Sequence, residues 1–287
     1  MSFLLECTFK VIVITETKLS AEHERYFFRC LKEKYWLNFN HFNKSNVEQI
    51  FGDSATNTDC SAGIMVLIAK DLSEPPISNV RVPGMLSETL LTLKGREFSQ
   101  LRLLSYYCPH SLYRKKLYSL LKEYESDVPT ILAGDFNDYM SSSDIISNSK
   151  SKHKSRGLSD TIHRLDFHSL QDNSNFSLNK EMYKSRPDWI FVSQDLFPAT
   201  SPIVVEDFSY KTDHNPISVQ ISLPRKHTNR PFVFQPQLLK DKTLKGKLEK
   251  EIDEIVTTNK DDPFIALQTV TEHLEERFKA LQRTATF

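Results

Sequence analysis

The sequence predicts an α+β fold with a sheet-on-sheet core and helices outside it. Three observations carry this. Short apolar runs of strand type outnumber helical stretches, two of those runs flank a turn as a hairpin would, and beyond Pro224 the strand pattern gives way to helical periodicity.

Val11 to Ile14 is a β-branched run that ends in Thr15-Glu16-Thr17, which predicts a buried strand and then a loop. Ser20 follows as a helix cap, with Phe27, Phe28 and Leu31 on one side of the helix. The small polar residues 52 to 61 form a loop by composition, and Ala62 to Ala69 is the next strand. Leu86 to Leu93 and Leu101 to Tyr107 flank Lys94-Gly95-Arg96 as a hairpin. Leu112, Leu117, Leu120 and Leu121 give a helical stripe between Ser111 and Tyr124. A strand is predicted at 130 to 133, mobile surface at 141 to 159, and two more strands at Trp189 to Val192 and Ile217 to Leu223. In the tail, Leu244, Leu248, Ile252 and Ile255 recur at helical spacing. After Asp262-Pro263, a cap and a first-turn proline, Phe264, Leu267, Val270, Leu274, Phe278 and Leu281 do the same.

The 287 residues, 39% hydrophobic and 26% charged, are enough to bury one large core with an appendage. Basic and acidic residues balance at 37 each, so affinity for a polyanion has to come from local patches. Two such patches exist, KSKHKSR at 150 to 156 and the lysine- and arginine-rich stretch from Pro224 to Lys250; each also reads as ordinary solvated surface. Cys7, Cys30, Cys60 and Cys108 form no metal-site or disulfide spacing, which fits a reducing compartment. No run reaches the roughly 18 apolar residues of a spanning helix, and MSFLLECTFK lacks the form of a signal peptide. The expectation is an intracellular protein, nuclear or cytoplasmic and not secreted, with no membrane partner.

Five stretches place a polar group at the end or start of an apolar strand. They are IVITETKL with Glu16, SYYCPH with Tyr107, ILAGDFND with Asp135 and Asn137, SRPDWIFVS with Asp188, and KTDHNPISV with Asp213 and His214. Each alone also reads blandly: Asp-Phe-Asn after glycine as a turn, Glu16 as a surface carboxylate, Tyr107 as a core aromatic. Their coincidence in this order is what points to chemistry.

That order resembles the endonuclease/exonuclease/phosphatase superfamily over residues 11 to 223. ETKL, SRPDWIFVS and TDHNPI look most similar to the endonuclease module of LINE-type (non-LTR) retrotransposons. FVFQPQLLKD and the helix after it are similar to the linker that leads to a reverse transcriptase in such elements; no reverse-transcriptase sequence follows here. The resemblance implies a four-layer α/β sandwich at 1–224, two packed and mostly antiparallel sheets with outer helices, and a helical tail at 225–287. It also implies a DNA-nicking, Mg²⁺- or Mn²⁺-dependent phosphodiesterase.

Glu16 and Asp213 would hold the metal. Asp135 would activate the attacking water, Asn137 would position it or the phosphate, and Asp188 would orient a protonated His214. Tyr107 would donate to a phosphate oxygen, and Asp213 would assist the metal or the leaving group. Ser177 falls loosely where relatives carry a Ser or Thr that contacts substrate. Relatives open with an Asn-bearing strand roughly 25 to 30 residues before the metal glutamate. Only 15 residues precede Glu16, none of them Asn, so the resemblance implies an N-terminally truncated domain. Two rival readings stay open: another phosphate-ester hydrolase of the superfamily, and a catalytically inactive remnant of a mobile element.

Overall fold

The computed structural model describes residues 2–51, 62–96, 98–124, 128–147, 156–170, 176–180, 183–206, 212–224, 242–260 and 262–284. The predicted loop at 52 to 61 with Cys60, the basic stretch at 150 to 155, and Arg225, Lys226, Arg230 and Lys240 lie outside them. The chain divides into two compact units, Met1–Lys226 and His227–Phe287.

In chain order the first unit carries α1 (Ser2–Glu6), β1 (Val11–Thr15), α2 (Ala21–Leu31), β2 (Tyr35–His41), α3 (Lys44–Phe51), β3 (Gly63–Ala69), β4 (Ile77–Val82), β5 (Leu86–Thr92) and β6 (Gln100–Tyr107). There follow α4 (Ser111–Leu121), β7 (Thr130–Asp135), β8 (Ile145–Ser147), α5 (Arg156–Arg164), β9 (Phe167–Ser169), β10 (Leu178–Lys180), β11 (Tyr183–Ser185), β12 (Asp188–Ser193), β13 (Val204–Val205) and β14 (Ile217–Ser218). The second unit holds α6 (Lys242–Thr258) and α7 (Pro263–Thr284), and the Asp262 carboxylate caps α7 by accepting from the Ile265 N–H at 3.1 Å.

Two larger sheets organise the first unit. One is three-stranded in the order β1-β3-β2, and the other is six-stranded in the order β4-β5-β6-β7-β12-β9. Every pair in them is antiparallel except β6–β7, which α4 connects as a parallel crossover. The pairs β8-β11-β10 and β13-β14 form two smaller sheets. β3 shows why the layers stack. Its seven residues are all buried, with Ile64, Val66 and Ile68 in the main core while Met65, Leu67 and Ala69 join Leu4 of α1 and Leu31 of α2 in a second cluster. A strand sandwiched in this way has no polar face, and its sequence, GIMVLIA, has none. The α+β architecture, two sheets flanked by helices and followed by a helical segment, is as the sequence predicts.

Several element-level expectations need correction. Phe28 and Leu112, members of the expected apolar helix stripes, are 54% and 61% exposed, because α2 turns Leu31 and Phe27 inward and α4 turns Tyr113, Leu117, Tyr118 and Leu121 inward. The expected surface stretch from 141 contains a 3₁₀ turn at Ser142–Asp144, then β8, and α5 starts at Arg156. Asp144 is buried there against Arg186 at 3.1 Å, so this part of the segment is fixed by an ion pair. The strand expected over Ile217 to Leu223 is only two residues long plus an isolated bridge from Ile221 to Thr200, since β13 offers it just two residues to pair with. Among the described residues, no helix is long and apolar enough to cross a membrane.

Candidate active site

Strand register gathers the site. Asp135, the last residue of β7, lies beside Tyr107 at the end of β6 and beside Asp188 at the start of β12, so three of the expected residues stand level on adjacent strands. Gly134 makes this possible. Its φ is +147°, and a Cβ built there would meet the Tyr106 carbonyl oxygen at 1.8 Å, so only glycine lets β7 approach β6 this closely.

Past the strand the chain turns through Asn137 at φ +45°, a left-handed conformation that Asn tolerates better than most residues. The Asn137 backbone N–H donates to Asp135 Oδ1 at 2.8 Å. Its side-chain Nδ2 donates to Asp135 Oδ2 at 3.2 Å and to the Cys108 carbonyl at 3.0 Å. Asp135 thus makes the turn that the bland reading of GDFN foresaw, and the same turn aims its buried carboxylate at the other site groups.

On β12, Asp188 Oδ2 accepts from Ser177 Oγ at 2.6 Å and lies 2.8 Å from His214 Nδ1. An isolated bridge between Leu178 and His214, and a bond from the Asn215 N–H to the Ser177 carbonyl at 2.7 Å, hold the two segments together. Ser177, only loosely placed from sequence, is therefore a direct partner of Asp188. Glu16 sits in the loop after β1 at φ +54°, with Lys18 at +45° two residues on; its half-exposed carboxylate pairs with Lys18 Nζ at 2.6 Å. Left-handed backbone at a glutamate and a lysine costs on the order of 1–3 kcal/mol each, a strain that tends to persist where geometry is functional. Asp213 is exposed beside His214, and Tyr107 is buried with its N–H bonded to the Met85 carbonyl at 2.8 Å.

The electrostatics push two groups toward useful values. Burial raises the Asp135 carboxyl first, and the Asp188 charge and then Glu16 add to it; the Asn137 N–H and His214 pull the other way, leaving it at about 7. For His214 burial alone would lower the imidazole, but the hydrogen bond and charge of Asp188, with Asp135 and Asp213 behind it, outweigh burial and raise it to about 9. At neutral pH the ring is a cation whose Nδ1–H donates to Asp188.

Asp135, Asp188 and His214 each offer one ligand atom within 4.8 Å of the others, a grouping able to hold a divalent ion. Of these donors the protonated imidazole suits a cation poorly, and the carboxylates suit a hard one. The mutual repulsion that raises Asp135, with Glu16 a contributor, is what a bound Mg²⁺ would relieve, so the residues present fit such an ion.

The network beneath the site is not legible in the sequence, where Asp138 reads only as one more polar group after the strand. Asp138 is wholly buried, accepts from Tyr118 Oη at 2.7 Å, and lies 3.4 Å from Arg114 Nη1; its backbone carbonyl accepts from Trp189 Nε1 at 3.0 Å. Its place one residue after the Asn of GDFN was the only signal available.

Residues 101–218 match the family model described as endonuclease-reverse transcriptase. Among solved structures, the AP endonuclease LMAP from Leishmania major is similar at 14% identity and a TM-score of 0.59, over 78% of this chain and 81% of that one. A 3′ phosphatase from Neisseria, bound to a product DNA hairpin, is similar at 13% identity and a TM-score of 0.55, over 77% of this chain and 91% of that one. An AP endonuclease from Archaeoglobus fulgidus gives 14% identity and a TM-score of 0.55, over 77% and 92%. The likeness to these structures is one of fold, and the family match covers the segment that carries Tyr107, Asp135, Asp188 and His214. A search of curated proteins finds no match.

Proposed function

We propose that the chain hydrolyses phosphodiesters with Mg²⁺ and nicks DNA as a LINE-type endonuclease, with 1–224 as the nuclease domain and 225–287 as a linker-like tail. The observation that carries this is the cluster itself: Asp135, Asp188 and His214 bring a ligand atom each within 4.8 Å of one another, with burial raising the Asp135 carboxyl and Asp188 raising the His214 imidazole. A base that titrates near working pH and an acid held charged beside it suit a reaction in which water attacks an anion and an oxygen departs.

Asp135 takes the proton of the attacking water, and Asn137 fixes the Asp135 carboxylate through two hydrogen bonds. His214, oriented by Asp188 and Ser177, stabilises the charge that builds on the phosphate. Tyr107 lies level with Asp135 and donates to a phosphate oxygen, and Asp213 assists the ion or the leaving group. Glu16, with the Asp135 and Asp188 carboxylates, would hold the Mg²⁺, whose charge polarises the phosphate. The LINE assignment is supported by the endonuclease-reverse transcriptase match and by the ETKL, SRPDWIFVS and TDHNPI segments.

The test is supercoiled-plasmid nicking by the full chain in Mg²⁺, with chelator as control, beside abasic duplex, RNA, poly(A) and inositol phosphates. Plasmid nicking that chelator abolishes supports the proposal. Turnover of only a small phosphate ester would move the assignment to a phosphatase, and no turnover of any substrate would mean an inactive remnant.

A further inference from the structure

We propose that Arg114 is a positioning residue, which acts on the reaction through Asn137 without touching substrate. The proposal rests on the functional reading above. α4 begins four residues beyond Tyr107, and His110 sets its start by accepting from the Leu112 N–H at 3.2 Å. The short connection is tied to the Asp135 turn at two points: the Cys108 N–H donates to the Asp135 carbonyl at 3.0 Å, and the Cys108 carbonyl accepts from Asn137 Nδ2 at 3.0 Å. One turn into α4, Arg114 completes the tie. Its Nη2 donates to the Asn137 carbonyl and its Nη1 lies 3.4 Å from Asp138 Oδ1.

The arrangement has a physical logic. Asn137 is held at φ +45°, a conformation its own side chain does not secure, because both of its amide contacts are spent on Asp135 and Cys108. Asp138 is fully buried three residues from Asp135, where Tyr118 Oη and the Tyr139 N–H offer it dipoles and Arg114 offers it a charge. A planar guanidinium satisfies both needs at once. One arm neutralises Asp138 while another fixes the Asn137 carbonyl, so the plane of that peptide, and with it the reach of Asn137 to Asp135 Oδ2, is set from α4. A lysine has the charge but not the fork, and it would serve one of the two partners only.

The experiment therefore compares wild type with Arg114→Lys in the full 287-residue chain, using the Asn137 side-chain amide signals in a ¹⁵N correlation spectrum, the melting temperature, and kcat and KM for plasmid nicking. Arg114→Lys should keep the melting temperature but move the Asn137 amide pair toward the free-amide position. It should lower kcat by up to about 10²-fold, the scale of a sub-ångström to ångström misplacement, with KM within about twofold. Combined with Asn137→Ala, it should cost nothing further, since the residue it acts through is gone. An unmoved Asn137 amide overturns the proposal. So does a rise in KM with kcat preserved, which would make Arg114 a substrate contact, and so does full additivity with Asn137→Ala. If wild type hydrolyses nothing, the functional reading fails, and the amide signals alone still decide whether Arg114 holds Asn137.

Discussion

Replacing Gly134 with alanine should be among the most damaging single-methyl changes available to this fold. At φ +147° an L residue pays on the order of 1–3 kcal/mol in backbone strain. The added Cβ would also sit 1.8 Å from the Tyr106 carbonyl oxygen, an obstacle made of main chain that no rotamer can clear. Relief has to come from parting β7 from β6, and forced overpacking costs about 1–3 kcal/mol by itself. With the obstacle rigid, a sum of about 4–5 kcal/mol is expected, a large part of the about 5–15 kcal/mol that holds a typical domain together. For a unit of this size that is about 8–20 °C in melting temperature, at about 2–4 °C per kcal/mol.

Tryptophan fluorescence is the right probe, because the two tryptophans, Trp36 and Trp189, both lie in the Met1–Lys226 unit and Trp189 is the strand partner of Gly134. Gly95→Ala is the control. Its φ is +62° with nothing within 4 Å, so it carries a left-handed penalty of about 1–2 kcal/mol and no collision. If Gly134→Ala melts no lower than Gly95→Ala, the close approach of β6 and β7 is not what demands glycine, and the reasoning fails.

Other expectations concern charge. Asp135→Asn keeps an acceptor for the Asn137 N–H but no base, so hydrolysis should fall about 10²- to 10⁴-fold with unchanged circular dichroism; undiminished turnover would remove Asp135 from the chemistry. In metal-free protein an NMR titration should show Asp135 ionising near 7 and His214 deprotonating near 9, with the Asp135 midpoint falling when Mg²⁺ is added; no transition near either value would refute the acid–base assignment. Both groups have folded pKa values above their unfolded ones. The stability Asp135 contributes is therefore full below about 4 and lost as pH rises through about 7, while that of His214 is full below about 6.5 and lost through about 9. Chemical melts of metal-free protein should weaken over that window, and Asp135→Asn should remove the lower part of the decline. Breaking the buried Arg186–Asp144 pair with Asp144→Ala should cost about 3–5 kcal/mol, whereas an apolar replacement of both partners should recover most of it in the same melt.

The sequence singled out the candidate residues but not their arrangement, for a definable reason. Glu16, Tyr107, Asp135, Asp188 and His214 each adjoin an apolar run, and such local patterns are readable without knowing what pairs with what. That Tyr107, Asp135 and Asp188 stand level is a fact of register between strands far apart in the chain, which no local pattern encodes. Unforeseen strands fail the same way. β4, ISNVRV, is exposed at five of six positions and so has no apolar signature, and β2, YWLNFNH, interleaves asparagines. One of these, Asn40, is buried only because it bonds the Val82 carbonyl and the Gly84 N–H 42 and 44 residues away. The Arg186–Asp144 and Arg114–Asp138 pairs are equally non-local, and a charged residue in a polar stretch looks like surface until its partner is known.

The two readings of GDFN, turn and candidate site, are therefore not rivals. A carboxylate that has to ionise near neutral pH must be shielded from water, and a shielded carboxylate must have hydrogen-bond donors or it will distort the fold around it. The cheapest donors are those of its own chain two residues on, and Asp135 takes them in the Asn137 N–H and side-chain amide. Such a turn requires left-handed backbone at its third residue, which Asn accepts, and the close strand approach before it requires glycine at Gly134. Every residue of the motif but Phe136 is thus fixed by the conformation that holds the buried Asp135 carboxylate. Phe136 is fixed from the other side, since it packs between Tyr106 and Phe191 in the core and anchors the turn to the sheet that carries Tyr107 and Asp188.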